Sequence, residues 1–250
     1  MTSVRYRIAG IQFAIHGPLS AGELGVQDRL KPFLESGSEG EEEVAIHWEE
    51  GDPGKPVEGE VVFDPGMIWK VYRSASGERF WARFHYPNAT DGHGRALLEA
   101  TPGWDRIRIT ERWSEPPWQS LLSLGAGEVI LRGRILFAPG IVCHAFAVED
   151  EGRGFLFVGH SGAGKSTQAA LWAARTNATV LSDDRVAVRM DGKGPSIHGT
   201  PWGGDADIAT NHRAPLTAVF ILGQAPQNSL RRLSPVESVP LLAVRSFLPF

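Results

Sequence analysis

Phe155-Leu-Phe-Val-Gly-His-Ser-Gly-Ala-Gly-Lys-Ser-Thr167 is the stretch on which the fold turns. Residues 159–166 satisfy G-x-x-x-x-G-K-[ST], the Walker A pattern of phosphate-binding loops. Residues 155–158 are bulky and apolar, as a short strand buried on both faces requires. Residues 166–175 are rich in Ala, Leu and Gln, which suits a helix. Strand, glycine loop and helix therefore follow in the order the motif demands. Gly159, Gly162 and Gly164 let the backbone turn where a side chain would obstruct it and approach a phosphate closely. Successive N–H groups then form an anion nest at a helix N-terminus, where the macrodipole adds positive potential. Lys165 reaches the β- and γ-phosphates, and the Ser166 hydroxyl ligates Mg²⁺. His160, Ser161, Ala163 and Thr167 complete the nucleotide-binding segment. A dinucleotide loop is disfavoured, because G-x-G-x-x-G spacing is absent.

About twenty residues downstream, Ala178-Thr-Val-Leu-Ser-Asp-Asp184 reads as an apolar strand ending in two acids. In open α/β sheets ligands gather at the carboxyl ends of strands. One carboxylate there can hold Mg²⁺ while the other accepts a proton from an attacking hydroxyl. A water-activating NTPase needs only one acid at this place, so Asp183 with Asp184 favours a kinase. Upstream, Val142-Cys-His-Ala-Phe146 reads as a strand carrying His144, either a satisfied core histidine or a catalytic group. Cys143 reads as a small buried hydrophobe. Gly199-Thr-Pro-Trp-Gly-Gly-Asp205 is a second Gly/Pro loop. There Trp202 either stacks on a ligand or packs, and Asp205 is a further candidate metal carboxylate. Arg213 is either a phosphate contact or a solvent-facing charge.

The first half of the chain reads as β-rich. Strands are expected over residues 6–16, 43–48, 60–64, 67–73, 79–86 and 106–112, separated by Gly/Pro/Asn/Asp turns, with a short helix over 23–34. The texture changes near Glu115-Pro-Pro117, after which residues 118–131 read as a helix. Strands over 141–148, 179–181, 185–190 and 216–222 follow, and a last helix over 236–247 begins at Pro235. The expected architecture is α/β: a β-rich N-terminal domain over 1–125 and a P-loop domain with a mixed sheet over 126–250.

The 250 residues carry 25 Lys and Arg against 29 Asp and Glu, a net charge of −4. Nucleic-acid binding by counterion release needs a concentrated basic face, and the clearest basic cluster is only Arg231-Arg232. A single cysteine cannot form an internal disulfide and fits a reducing compartment. No apolar run approaches the roughly 20 residues that span a bilayer. A cytoplasmic protein without nucleic-acid or membrane partners is expected.

Taken together, Cys143-His-Ala-Phe146, the 159–167 loop and Leu181-Ser-Asp-Asp-Arg-Val186 resemble the HPr kinase-like family. Gly199-Thr-Pro-Trp-Gly203 and Ala214-Pro-Leu-Thr-Ala-Val-Phe220 extend the likeness over roughly residues 135–247. The resemblance implies a fold akin to ATP-dependent phosphoenolpyruvate carboxykinase and a catalytic base at Asp183. It also implies metal assistance from Asp184, support of the acid pair by His144, and a metal-binding position near Asp205. It allows a homo-oligomer. The Arg-Gly-centred signature of bifunctional kinase/phosphorylases is replaced by Thr200-Pro-Trp-Gly203. This variant resembles the HPr kinase-related proteins found beside peptide-modification clusters.

The function expected is transfer of the γ-phosphate of ATP, with Mg²⁺, to a serine hydroxyl of a peptide or protein. Two alternatives stay open: a phosphotransferase acting on a small molecule such as free serine, and a non-catalytic nucleotide-binding sensor or assembly protein.

Overall fold

The computed structural model describes residues 2–17, 28–36, 42–54, 59–66, 69–85, 95–112, 125–174, 177–247 and 250. The protein is mixed α/β and dominated by strands, with two mixed sheets and three α-helices among the described residues. Its contacts divide into two units. One comprises Met1–Arg7, Ile11–Arg134 and Phe250; the other comprises Ile8–Gly10 and Ile135–Pro249. None of the described helices is long and apolar enough to cross a membrane.

The first unit is built on one eight-stranded sheet. Its strands are β1 (Thr2–Ile8), β2 (Ile11–Gly17), β3 (Val44–Glu50), β4 (Glu60–Phe63), β5 (Trp69–Arg73), β6 (Phe80–Phe84), β7 (Ala96–Ala100) and β8 (Arg106–Glu111). The order is β1-β2-β3-β8-β7-β6-β5-β4, parallel where β3 meets β2 and β8, and antiparallel from β8 to β4. Alternation places one side chain from each strand in register across the sheet. Val71, Ala82, Leu98, Ile109 and Trp48 form such a row, all buried. Helix α1 (Ala126–Arg134) has almost every residue buried, and its Gly133 lies against the Trp104 ring with no room for a Cβ. Its buried Arg132 guanidinium sits over the rings of Phe63 and Phe250 at 4.5 and 4.7 Å, a cation–π contact that offsets desolvation of the charge.

The second unit has β9 (Gly140–Asp150), β10 (Arg153–Val158), α2 (Lys165–Ala173), β11 (Ala178–Ser182), β12 (Arg185–Asp191), β13 (Gly194–His198), β14 (Arg213–Ile221), α3 (Pro235–Ala243) and β15 (Ser246–Phe247). The eleven residues of β9 organise it. Along one edge residues 147–150 pair with β11 and residues 140–144 with β12, while the other edge takes β10 at residues 145–150 and β15 at residues 142–143. β14 likewise pairs first with β13 and then, in parallel, with β10. The ladder β10-β14-β13-β12-β9 therefore returns to β10 and closes on itself. Alternation along β9 gives two cores. Cys143, Ala145 and Ala147 face Leu156, Leu181, Val186 and Ile197. Phe146 and Val148 face Phe157 and Ala169 of α2.

Several local expectations are corrected. The single strand expected over 6–16 is two strands, broken at Ala9 and Gly10, both with positive φ (52° and 77°). That is the geometry of a tight hairpin turn, here made by Ala-Gly rather than the usual Asn-Gly or Asp-Gly. β7 and β13 were not expected. The helix expected over 236–247 stops at Ala243, because Ser246 and Phe247 pair with the open edge of β9 at Cys143 and Val142. Of the helix expected over 23–34, residues 28–33 form a 3₁₀ turn, Asp28–Phe33, and 23–27 lie outside the described residues. Residues 118–124 of the helix expected before 131 also lie outside them.

Candidate functional site

The glycine loop leaves the carboxyl end of β10 and enters α2. Gly159 is buried where a Cβ would meet Ala163 and Leu222. Gly162 (φ 79°) and Gly164 (φ 102°) are left-handed, and a Cβ on either would meet nothing within 4 Å. The loop backbone at these two glycines thus opens onto free space. Gly164 caps α2 with no side-chain hydrogen bond, and the first turn carries no acidic residue. The helix N-terminus accordingly keeps N–H donors and positive potential for a ligand. Ser166 and Thr167 are exposed on that turn. The loop is braced from within by Ala163 N donating to His160 O at 3.1 Å. The Gln224 amide, in the segment after β14, donates to Gly162 O at 2.8 Å.

Lys165 folds over its own loop, its Nζ donating to Gly159 O at 3.0 Å and His160 O at 3.4 Å. The ammonium is buried and meets carbonyl oxygens rather than a carboxylate. Burial, then the positive charge of Arg245, lowers its pKa. His160 itself is exposed, its Nδ1 2.6 Å from Ser161 O.

The acid pair follows β11. Asp183 and Asp184 lie side by side in the chain but in different environments. Asp183 Oδ1 accepts Gly204 N–H at 2.8 Å and Oδ2 accepts Ala206 N–H at 2.9 Å, so this carboxylate fixes the Gly203–Ala206 turn. Asp205 stands exposed between those two donors. Asp184 Oδ1 lies 2.8 Å from His144 Nδ1, and Oδ2 is paired with the Arg185 guanidinium. A carboxylate only accepts, so His144 carries a proton on Nδ1. The His144 pKa is lowered, first by burial and then by Lys165 and Arg185. His144 points this way because it falls on the same face of β9 as Phe146 and Val148, the face turned to α2.

Of the residues singled out in the sequence, His144 and Asp184 are in direct contact, Lys165 is close enough to act on His144 electrostatically, and Asp183 is joined to the loop bearing Asp205. Cys143 faces the opposite core, its thiol pushed up to about 11 by burial. Trp202 is buried, and Arg213 begins β14. Sequence reasoning assigned no role to Arg185, Arg245, Phe247 or Gln224. Arg185 was adjacent to a recognised motif. Arg245 and Phe247 had no local signal, because the turn after α3 brings them in. The backbone N–H of His144 donates to Arg245 O at 2.8 Å. The Phe247 ring stands edge-on to His144 and beneath the Arg185 guanidinium.

The donors available to a cation fit Mg²⁺ in kind: the Ser166 hydroxyl and the Asp205 and Asp184 carboxylates offer only oxygen. Among the described residues no group of three or more His, Cys, Asp or Glu side chains is arranged to hold a metal. Mg²⁺ in phosphoryl-transfer sites is characteristically held by one or two protein oxygens together with phosphate and water. A separate groove of about 460 Å³ lies on the first unit, lined by Glu78 and Glu99 against Arg79, Arg106 and Arg108. Its mixed charges and open form suit a solvated sheet face. No protein-family model matches this chain, and no curated protein matches it.

Proposed function

We propose that the second unit is an ATP-dependent kinase that transfers the γ-phosphate to a serine hydroxyl of a peptide or protein. The observation that carries this is the strand ladder: β10 ends opposite Ala145, whose N–H donates to Asp184 O, so the glycine loop with Lys165 folded over it leaves the sheet one strand away from the acid pair. Asp184 is bracketed by His144 and Arg185, whereas among the described residues Asp183 meets only neutral backbone donors. Asp183 therefore carries the unneutralised charge of the pair, and one lone pair on each oxygen remains to receive a proton. The resemblance to HPr kinase-like proteins assigns it the same role.

In this chemistry the serine Oγ forms a bond to the γ-phosphorus as the bond from phosphorus to the β–γ bridging oxygen breaks. ADP departs and the hydroxyl proton passes to Asp183. The loop N–H groups and Lys165 bind and orient the phosphates. Ser166, Asp205 and Asp184 are the residues that would hold Mg²⁺, which would supply charge neutralisation at the β- and γ-phosphates. His144 donates from Nδ1 to Asp184 and keeps that carboxylate turned towards Arg185.

ADP release measured with serine-containing peptides and with free serine tests the proposal. Peptide-dependent release is expected. Release with free serine alone would make the protein a small-molecule phosphotransferase, and tight ATP binding with no turnover would make it a nucleotide sensor.

A further inference from the structure

Three arginines with no acid partner among the described residues line the groove of about 460 Å³ on the sheet of the first unit. The strand ladder puts them there. Trp81, Glu99, Arg108 and His47 stand directly opposite one another on β6, β7, β8 and β3. Arg79 and Arg106 lie two residues along from Trp81 and Arg108, so alternation brings them to the same face. The other face carries the buried row from Val71 to Trp48, which leaves this one to solvent.

Charges inside the groove are not matched into pairs. Arg79 and Arg108 make no side-chain hydrogen bond or ion pair with a described residue, and Arg106 reaches only the Asp105 carbonyl at 3.4 Å. Of the two acids, Glu99 is half-buried and its Oε1 accepts Trp81 Nε1–H at 3.1 Å, while Glu78 stands exposed. Other arginines of the first unit do find acids: Arg73 pairs with Glu60 at 2.7 Å, Arg95 with Glu111 at 2.8 Å and Arg112 with Asp52 at 2.9 Å. The three guanidinium forks in the groove are thus left to an oxyanion from outside the described chain. The arrangement also selects among anions. A polyphosphate or nucleic acid presents closely spaced charge, which would press on Glu78 and Glu99 as well as on the arginines. An extended peptide carries alternate side chains about 7 Å apart on one face, so single carboxylates can meet the arginines and pass the two acids by.

We propose that this groove docks an acidic segment of the peptide or protein substrate, whose Asp or Glu carboxylates meet Arg79, Arg106 and Arg108. That the docked peptide is a substrate rests on the kinase reading, which the proposal deepens by naming the substrate class. The acceptor is a peptide that carries an acidic stretch as well as its serine.

Fluorescence anisotropy of labelled decapeptides, mixed with the full chain at low salt and without nucleotide, tests it. Alternating Glu-Ser, Gln-Ser and Lys-Ser sequences serve as acidic, neutral and basic probes. The acidic probe is expected to bind best and to be released as salt is raised. Arg106→Glu and Arg108→Glu should each weaken it roughly three- to tenfold, the scale of one exposed charge pair. Lys193→Glu makes the same charge change on an exposed turn of the second unit and should leave binding within about twofold. Both arginines are exposed, so thermal unfolding of their variants should match that of the wild type. Binding indifferent to both arginine reversals, equal loss with Lys193→Glu, or equal affinity for the basic probe would overturn the proposal. Displacement of the acidic probe by less tripolyphosphate than unlabelled peptide would overturn it in favour of a phosphate ligand. Transfer to a serine peptide by a chain indifferent to the arginine reversals would overturn the docking alone. Arginine-dependent binding with no ADP release from ATP on any serine peptide would overturn the kinase reading, and the substrate role with it.

Discussion

His144 Nδ1 and Asp184 Oδ1 meet at 2.8 Å because β9 and β12 pair with His144 directly opposite Arg185, leaving the acid one residue off the register. The two elements are about forty residues apart in the chain, and neither acid nor imidazole is placed by its own loop. The contact therefore links the strand before the glycine loop to the acid pair after it. It also shares Asp184 between an imidazole and a guanidinium.

Histidine and aspartate should behave as one unit in kinetics. His144→Ala and Asp184→Asn are each expected to lower kcat by about 10- to 100-fold, and the double variant to be little worse than either single one. A double-mutant cycle on transfer rates measures this. Strict additivity would mean that the two side chains act independently.

Phosphate binding should depend on the loop conformation as well as on its charge. Gly164 has φ 102°, a region closed to a β-branched side chain, so Gly164→Val is expected to abolish ATP binding. Lys165→Ala should weaken it by about 10- to 100-fold through loss of a charged donor. Calorimetric titration of each variant with ATP distinguishes the two effects.

Acid should destabilise the second unit through His198. This imidazole is buried beside Ser196, with its Nε2 2.9 Å from Ser196 Oγ. Burial, then Arg189 and Arg213, lowers its pKa to about 4 from an ordinary 6.5. Between those values the unfolded chain binds a proton that the folded chain does not. Stability is therefore full above pH 6.5 and falls as pH drops towards 4, by on the order of 3 kcal/mol. Urea unfolding at pH 7.5 and 4.5 should show the loss in the wild type and a smaller one in His198→Gln.

Close backbone approach fixes the residue at 199. A Cβ there would lie 2.1 Å from Thr210 O and 2.7 Å from Leu181 O, the latter accepting the Thr210 hydroxyl. Gly199→Ala is expected to cost about 2–3 kcal/mol or more. Gly192→Ala, where a Cβ meets nothing, should stay within about 0.5 kcal/mol. Thermal unfolding of both variants makes the comparison.

The parts of the site written in short contiguous patterns were legible in the sequence. The glycine loop announces itself because its spacing is dictated by phosphate geometry, and the acid pair because it ends an apolar strand. His144 was visible as a candidate but its partner was not, since the pairing register of β9 with β12 has no local signature. Asp183 gave no sign that both its oxygens would be taken by Gly204 and Ala206. Arg245 was hidden inside an expected helix, which ends early because β9 offers an open edge to Ser246 and Phe247. The hairpin at Ala9-Gly10 was missed because Ala lacks the side chain that usually marks such a turn.

The central claim is phosphoryl transfer to serine, and ATP labelled on its γ-phosphate, offered with a panel of serine-containing peptides, tests it most directly. Kinase chemistry predicts label on a peptide serine with the wild-type chain and none with Asp183→Asn, while ATP binding persists in that variant. Unlabelled peptides with a chain that binds ATP tightly, or full transfer by Asp183→Asn, would contradict it.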